Sequence, residues 1–130
     1  MDRPPHAGLR HLALHARDLD AMKRFYIEVL GFAVEWEPDP DNIYLSSGID
    51  NLALHRAKGD VARNGALDHL GLIVRAPEQV DQWAAFLEAN GVELAVRPKT
   101  HRDGARSFYF RDPDGNTIQI IHHPPISAKA

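Results

Sequence analysis

Two short stretches of the chain set a histidine in nearly the same surroundings: Arg10-His11-Leu12-Ala13-Leu14 and Asp68-His69-Leu70-Gly71-Leu72. Imidazole nitrogens are common ligands of divalent metal ions, and two of them converging from distant parts of a chain can begin a metal site. Each stretch stands just before an amphipathic helix, so the repeat extends to a whole structural unit. Two such units related by pseudo-twofold symmetry would aim His11 and His69 at one point. The chain holds eight histidines in 130 residues, dispersed along its length, and no cysteine. Thiolate metal sites, cysteine nucleophiles and disulfides are thereby excluded.

The elements that must position these histidines follow from hydrophobic spacing. In the first half, residues 9–16 alternate as a strand, and Asp18 is placed to cap a helix. Met22, Phe25, Tyr26, Val29 and Leu30 follow the i, i+3, i+4, i+7, i+8 spacing of one buried helical face, and Gly31 stops it. Strands are expected over 32–37, 43–46 and 52–56, with turns at 38–42 and at Ser47-Gly48. The second half repeats the order. A strand over 67–75 precedes a helix that opens at Pro77, buries Val80, Trp83, Ala84 and Leu87, and ends at Asn90-Gly91. Strands over 92–97, 107–111 and 117–122 complete it. Asp112, Pro113, Asp114, Gly115 and Asn116 are dense in functional side chains but read as hairpin-turn chemistry. The expected organisation is a single domain over 1–130: module one over about 9–57, a linker over about 58–66, module two over about 67–123 and a loose tail over 124–130.

Side chains two apart on a strand share a face. His11, Ala13 and His15 therefore share one, as do Ala53 and His55, His69, Gly71 and Ile73, and Gln119, Ile121 and His123, while His122 points the other way. Residues four apart on a strand are separated by about 13 Å, too far for His11 and His15, or Gln119 and His123, to hold one ion. His55, two residues beyond Ala53, is set back from such an ion by about 6.6 Å and is better placed to act on a substrate.

The chain carries 25% charged and 44% hydrophobic residues and a net charge of -3. That is an ordinary globular composition with no basic footprint for nucleic acid. No apolar run approaches a membrane span and no signal-peptide h-region is visible, so the expectation is a cytoplasmic protein.

His11-Leu12-Ala13-Leu14, Phe25-Tyr26 through Leu30-Gly31-Phe32, Asp68-His69-Leu70-Gly71-Leu72 and Phe110-Arg111-Asp112-Pro113-Asp114-Gly115-Asn116 together resemble the vicinal oxygen chelate superfamily. That superfamily includes glyoxalase I, methylmalonyl-CoA epimerase, extradiol dioxygenases and the fosfomycin and bleomycin resistance proteins. The resemblance runs from about Leu9 to His123. It implies an α+β glyoxalase-like fold, with two tandem βαβββ modules forming a curved mixed sheet around a central cavity, a divalent metal and often a homodimer. Carried over by position, His11, His69 and Gln119 are the metal ligands. Gln119 stands where most metal-dependent members have glutamate, and Ala53 stands at the fourth-ligand position of the glyoxalase I and epimerase types. A metal held by two imidazoles and an amide oxygen gains no negative charge, so it is bound less tightly and is the stronger electrophile. The missing glutamates remove the base that moves a proton on carbon in those two types. His55 and Tyr109 fall where the extradiol dioxygenases carry a histidine and a tyrosine near the substrate, and these two are the candidate catalytic residues.

The resulting expectation is an enzyme dependent on Fe²⁺, Mn²⁺, Ni²⁺ or Zn²⁺ that acts on a small oxygen-rich, metal-chelating substrate, dioxygenase-like rather than a lyase. Its expected partners are that small molecule and a second copy of the chain, with neither nucleic acid nor membrane. The alternative is a metal-free protein of the drug-resistance kind, in which Trp36 supplies aromatic surface to a bound drug or antibiotic. A non-catalytic dimerisation domain is the third reading and leaves the paired histidines unexplained.

Overall fold

The computed structural model describes residues 1–61 and 65–130, and the chain divides into two compact units, Met1–Val61 and Ala62–Ala130. Each unit is βαβββ. The first contains β1 (His11–Ala16), α1 (Leu19–Arg24), β2 (Ala33–Asp39), β3 (Asn42–Ser46) and β4 (Asn51–Arg56). The second contains β5 (Leu70–Ile73), α2 (Pro77–Ala89), β6 (Leu94–Thr100), β7 (Arg106–Arg111) and β8 (Thr117–His122), followed by α3 (Pro124–Ser127). Their four-stranded sheets run β1-β4-β3-β2 and β5-β8-β7-β6. In each, the first and last strands of the unit pair in parallel and the other pairs are antiparallel. The α+β class and the duplicated module are as the sequence implies. The expected linker over 58–66 falls partly on residues 62–64, outside the described residues.

The first helix starts where Asp18 accepts the amide hydrogen of Ala21 over 3.0 Å. It does not stay α-helical to its end. Over Phe25–Val29 the turn widens, and the Leu30 amide reaches back five residues to the Phe25 carbonyl at 3.1 Å. Tyr26, fully buried, meets Phe25 and Phe32 edge-on with ring centroids 5.8 and 5.4 Å away. Gly31 ends the segment with φ +80°, a conformation that a side chain disfavours. The buried residues Leu14, Ala16, Ile43, Leu45, Leu52 and Leu54 supply the covered face of the first sheet. In the second unit α2 lies against β6, β7 and β8, and Val80, Leu87, Phe108, Phe110, Ile118 and Ile120 form the core.

The unit repeat extends to irregularities. β2 carries two extra residues relative to β3, between Val34 and Trp36 and between Trp36 and Asp39. β6 carries the same two relative to β7, between Leu94 and Val96 and between Val96 and Lys99. A bulge shifts the alternation by one position. Val34 therefore pairs with Leu45 of the covered face, whereas Trp36, two residues on, pairs with Tyr44 of the open face.

Three expectations are corrected. The strand expected over 67–75 is paired only over Leu70–Ile73, so His69 stands at its entrance rather than inside it. The tail is not loose throughout, because α3 is fastened to the second unit. The buried Ser127 hydroxyl donates to the Val74 carbonyl at 2.8 Å and accepts the His123 amide hydrogen at 3.0 Å. Trp83 is only half-buried and meets Phe86 edge-on, leaving Val80, Ala84 and Leu87 as the buried face of α2. Among the described residues no helix is long and apolar enough to cross a membrane.

Candidate functional site

In the first unit, the sheet face away from α1 is polar and aromatic. Parallel pairing of β1 with β4 sets His11 beside Asn51, Ala13 beside Ala53 and His15 beside His55. Antiparallel pairing with β3 adds Tyr44 opposite Ala53 and Asn42 opposite His55. His11 Nδ1 lies 2.7 Å from Asn51 Oδ1, and Asn51 Nδ2 donates to Glu35 Oε1 at 3.3 Å. His55 Nδ1 lies 2.6 Å from Asn42 Oδ1, and Asn42 Nδ2 donates to both carboxylate oxygens of Asp39, at 2.9 and 3.0 Å. The Tyr44 ring meets His55 edge-on at 5.8 Å and stacks on Trp36 at 5.2 Å with a 22° tilt. A cavity of about 490 Å³ opens beside them, with His15, Asn42, His55, Arg56 and Lys58 among its walls. Arg56 is committed there to Asp41, at 2.8 Å.

The second unit's corresponding face is built from β5, β8 and β7. Register places Gly71 beside Gln119, and Gln119 opposite Tyr109. Gln119 Nε2 donates to the Tyr109 hydroxyl at 3.0 Å, while its Oε1 has no hydrogen-bond partner among the described residues. A Cβ at position 71 would touch that oxygen, at 3.8 Å, so Gly71 leaves the space beside it open. His69 meets the Tyr109 ring edge-on, centroids 5.4 Å apart, and its Nδ1 is held by Asp68 Oδ1 at 2.6 Å. Two residues along β7 from Tyr109, the buried Ser107 hydroxyl lies 3.0 Å from His101 Nε2.

The structure sets Gln119 opposite Tyr109 on one face, with His69, just before β5, edge-on to the Tyr109 ring. His11 and His55 share the open face of the first unit, at opposite ends of the β1–β4 pairing. His123 is seated by α3 through its backbone, and His122, on the covered side of β8, leaves Nδ1 buried without a partner among the described residues. Among the described residues no three histidine, aspartate or glutamate side chains stand close enough together to hold an ion. Sequence reading missed Asn51, Glu35, Asn42 and Asp39 as partners of the histidines. It also missed Tyr44, whose place opposite Ala53 repeats that of Tyr109 opposite Gln119. The tyrosine was detectable, because Ile43-Tyr44-Leu45 and Phe108-Tyr109-Phe110 set it alike between two apolar residues. The asparagine relays had no such signal.

Each of His11 and His69 spends Nδ1 on an oxygen acceptor, which fixes the ring and leaves Nε2 to coordinate. In the second unit the Gln119 amide oxygen, turned from Tyr109, is a neutral oxygen donor.

The family model of the Glyoxalase/Bleomycin resistance protein/Dioxygenase superfamily matches residues 8–120. A biphenyl-2,3-diol 1,2-dioxygenase of Sphingomonas paucimobilis is 28% identical over 123 residues, covering 91% of this chain and 40% of that protein. The chain thus spans about two-fifths of that relative's length. A metallothiol transferase of Staphylococcus saprophyticus is 27% identical over 117 residues, covering 87% of this chain and 75% of the relative. Among solved structures, a lactoylglutathione lyase from Agrobacterium tumefaciens superposes with a TM-score of 0.72 at 25% identity, covering 92% of this chain and 96% of that one.

Proposed function

We propose that this chain, which belongs to the Glyoxalase/Bleomycin resistance protein/Dioxygenase superfamily, is a divalent-metal-dependent enzyme acting on a small substrate that presents adjacent oxygens to the metal, with dioxygenase chemistry favoured over a lyase reaction. The observation that carries the reading is the grouping of His69, Tyr109 and Gln119, with His69 Nδ1 already committed to Asp68. In this reading His11, His69 and Gln119 hold the ion, and the bound ion supplies Lewis-acid polarisation of the chelating oxygens.

The remaining chemistry belongs to the chain. Tyr109 accepts a hydrogen bond from Gln119, so its own hydroxyl hydrogen is available to a substrate oxygen. His55, with Nδ1 bonded to Asn42, presents Nε2 as a proton acceptor at the cavity it helps to line. Ala53, fully buried opposite Tyr44, contributes no charge. The reading includes a homodimer in the cytoplasm.

The test is titration of the chelator-treated protein with Fe²⁺, Mn²⁺, Ni²⁺ and Zn²⁺ by calorimetry, followed by oxygen uptake with vicinal aromatic diols. Saturable binding of one ion per chain that is lost in both His11→Ala and His69→Ala supports the reading. Absence of binding by all four ions overturns it.

A second reading is favoured by Trp36, which is 59% exposed and stacked on Tyr44. That platform suits sequestration of a planar drug without metal. Tight ligand binding unaffected by chelator or by His11→Ala and His69→Ala selects it over the enzyme.

A further inference from the structure

Both imidazoles that extend from the open face of the first unit with a side-chain partner are held in the same way. A carboxylate on β2 receives the amide group of an asparagine, and the asparagine carbonyl meets Nδ1 of the histidine. Glu35, Asn51 and His11 form one chain, with separations of 3.3 and 2.7 Å. Asp39, Asn42 and His55 form the other, with separations of 2.9 and 2.6 Å.

Each link in this sequence leaves the next one a single choice. A primary amide can present either end to a neighbour, and a neutral imidazole can carry its proton on either nitrogen. An ionised carboxylate can only accept. Glu35 must therefore face the NH₂ end of Asn51, which turns Oδ1 toward His11. That oxygen can only accept, so His11 must carry its proton on Nδ1 and keep the Nε2 lone pair free. Asp39 imposes the same outcome on His55 through Asn42. We propose that Glu35 and Asp39 are positioning residues, fixing the proton of His11 and of His55 on Nδ1 from one amide away. The consequence for metal binding and proton transfer rests on the function proposed above, whereas the tautomers do not.

The local sequence explains why a relay is needed. His69 follows Asp68, whose carboxylate bonds Nδ1 directly. His11 follows Arg10, a cation with no acceptor to offer. The carboxylate must then come from another strand. The β2 bulges make this possible, because they bring Trp36 and Asp39, residues of opposite parity, into register with open-face residues of β3.

The experiment is nitrogen NMR of the metal-free protein carrying ¹⁵N-labelled histidine, at a pH of about 8 where imidazole is neutral. In the wild type, His11 and His55 are expected to show a pyrrole-like Nδ1 and a pyridine-like Nε2. Glu35→Ala frees Asn51 to turn and should shift His11 toward the Nε2–H form while leaving His55 unchanged. Asn42→Ala should do the converse. Asp39 itself is left intact because it also accepts the Asp41 amide hydrogen in the hairpin turn. In parallel, calorimetry should show Mn²⁺ binding weakened about tenfold by Glu35→Ala and unchanged by Asn42→Ala. Wild-type imidazoles protonated on Nε2, or tautomers indifferent to Glu35→Ala and Asn42→Ala, overturn the proposal. Tautomers that respond as stated in a protein that binds none of Fe²⁺, Mn²⁺, Ni²⁺ and Zn²⁺ support the positioning role and remove the metal reading instead.

Discussion

Gln119 donates its amide hydrogen to the hydroxyl of Tyr109 across the β8–β7 ladder at 3.0 Å, with the two residues directly opposite in register. The bond turns the amide oxygen away from the tyrosine. At this position a glutamate would offer charge, whereas glutamine offers orientation and a neutral oxygen. Gln119→Glu is accordingly expected to tighten Mn²⁺ binding by at least tenfold, because carboxylate is the stronger ligand for hard cations. Calorimetry at fixed pH checks it, and an unchanged or weaker Kd would place the ion elsewhere.

Tyr109→Phe removes the acceptor for Gln119 Nε2 and the hydroxyl offered to substrate, while the ring can still meet His69 edge-on. Turnover should fall about a hundredfold, the lower end of what a positioned proton donor contributes, with the fold intact. Steady-state kinetics beside a thermal melt separates the two effects.

The tail provides a prediction about stability alone. Ser127→Ala leaves the Val74 carbonyl without its donor and the His123 amide without its acceptor. A loss of about 1–3 kcal/mol is expected from stranding buried polar groups, together with faster amide exchange over Pro124–Ser127. Denaturant unfolding and hydrogen exchange report these independently, and a change confined to exchange would mean that α3 frays without cost to the rest.

Leu87, fully buried on α2, measures how closely the second core is packed. Leu87→Ala should cost about 2–5 kcal/mol. A value near zero in urea unfolding would mean that the helix is not seated on its sheet as described.

The Asp81–Arg106 pair contributes to acid sensitivity. The Arg106 guanidinium hydrogen-bonds both carboxylate oxygens of Asp81, at 2.8 and 2.7 Å, and holds that carboxyl below its ordinary range. A carboxyl depressed in the folded state stabilises it above the unfolded value and loses that contribution as pH falls through the folded one. Asp81→Asn should therefore lower stability at neutral pH slightly and flatten its decline below about pH 4. The pair is half exposed, so the change is small. Parallel melts of the two proteins from neutral to acid pH give the comparison, and identical slopes would remove the pair from the acid response.

The duplicated module and the placement of His11, Gln119 and Tyr109 on strands were legible in the sequence, whereas His69 stands just before its strand. Period-two alternation assigns a face within a strand, period-3.6 spacing assigns the buried side of a helix, and repetition sets the two halves in correspondence. These are local rules that each segment obeys by itself. Only the tertiary structure decided which side chains meet across strands. Trp36 shares parity with Val34 and opposite parity with Asp39, yet Trp36 and Asp39 both pair with the open face, because two bulges each advance the register by one residue. Glu35 and Asp39 thereby reach asparagines 16 and 3 residues away in sequence. The paired strand β5 is likewise shorter than its alternating pattern, since it pairs with β8 only over Leu70–Ile73 and alternation does not record where pairing stops. Sequence set the residue types and their faces; register, bulges and the seating of α3 depended on contacts between segments, which no single segment encodes.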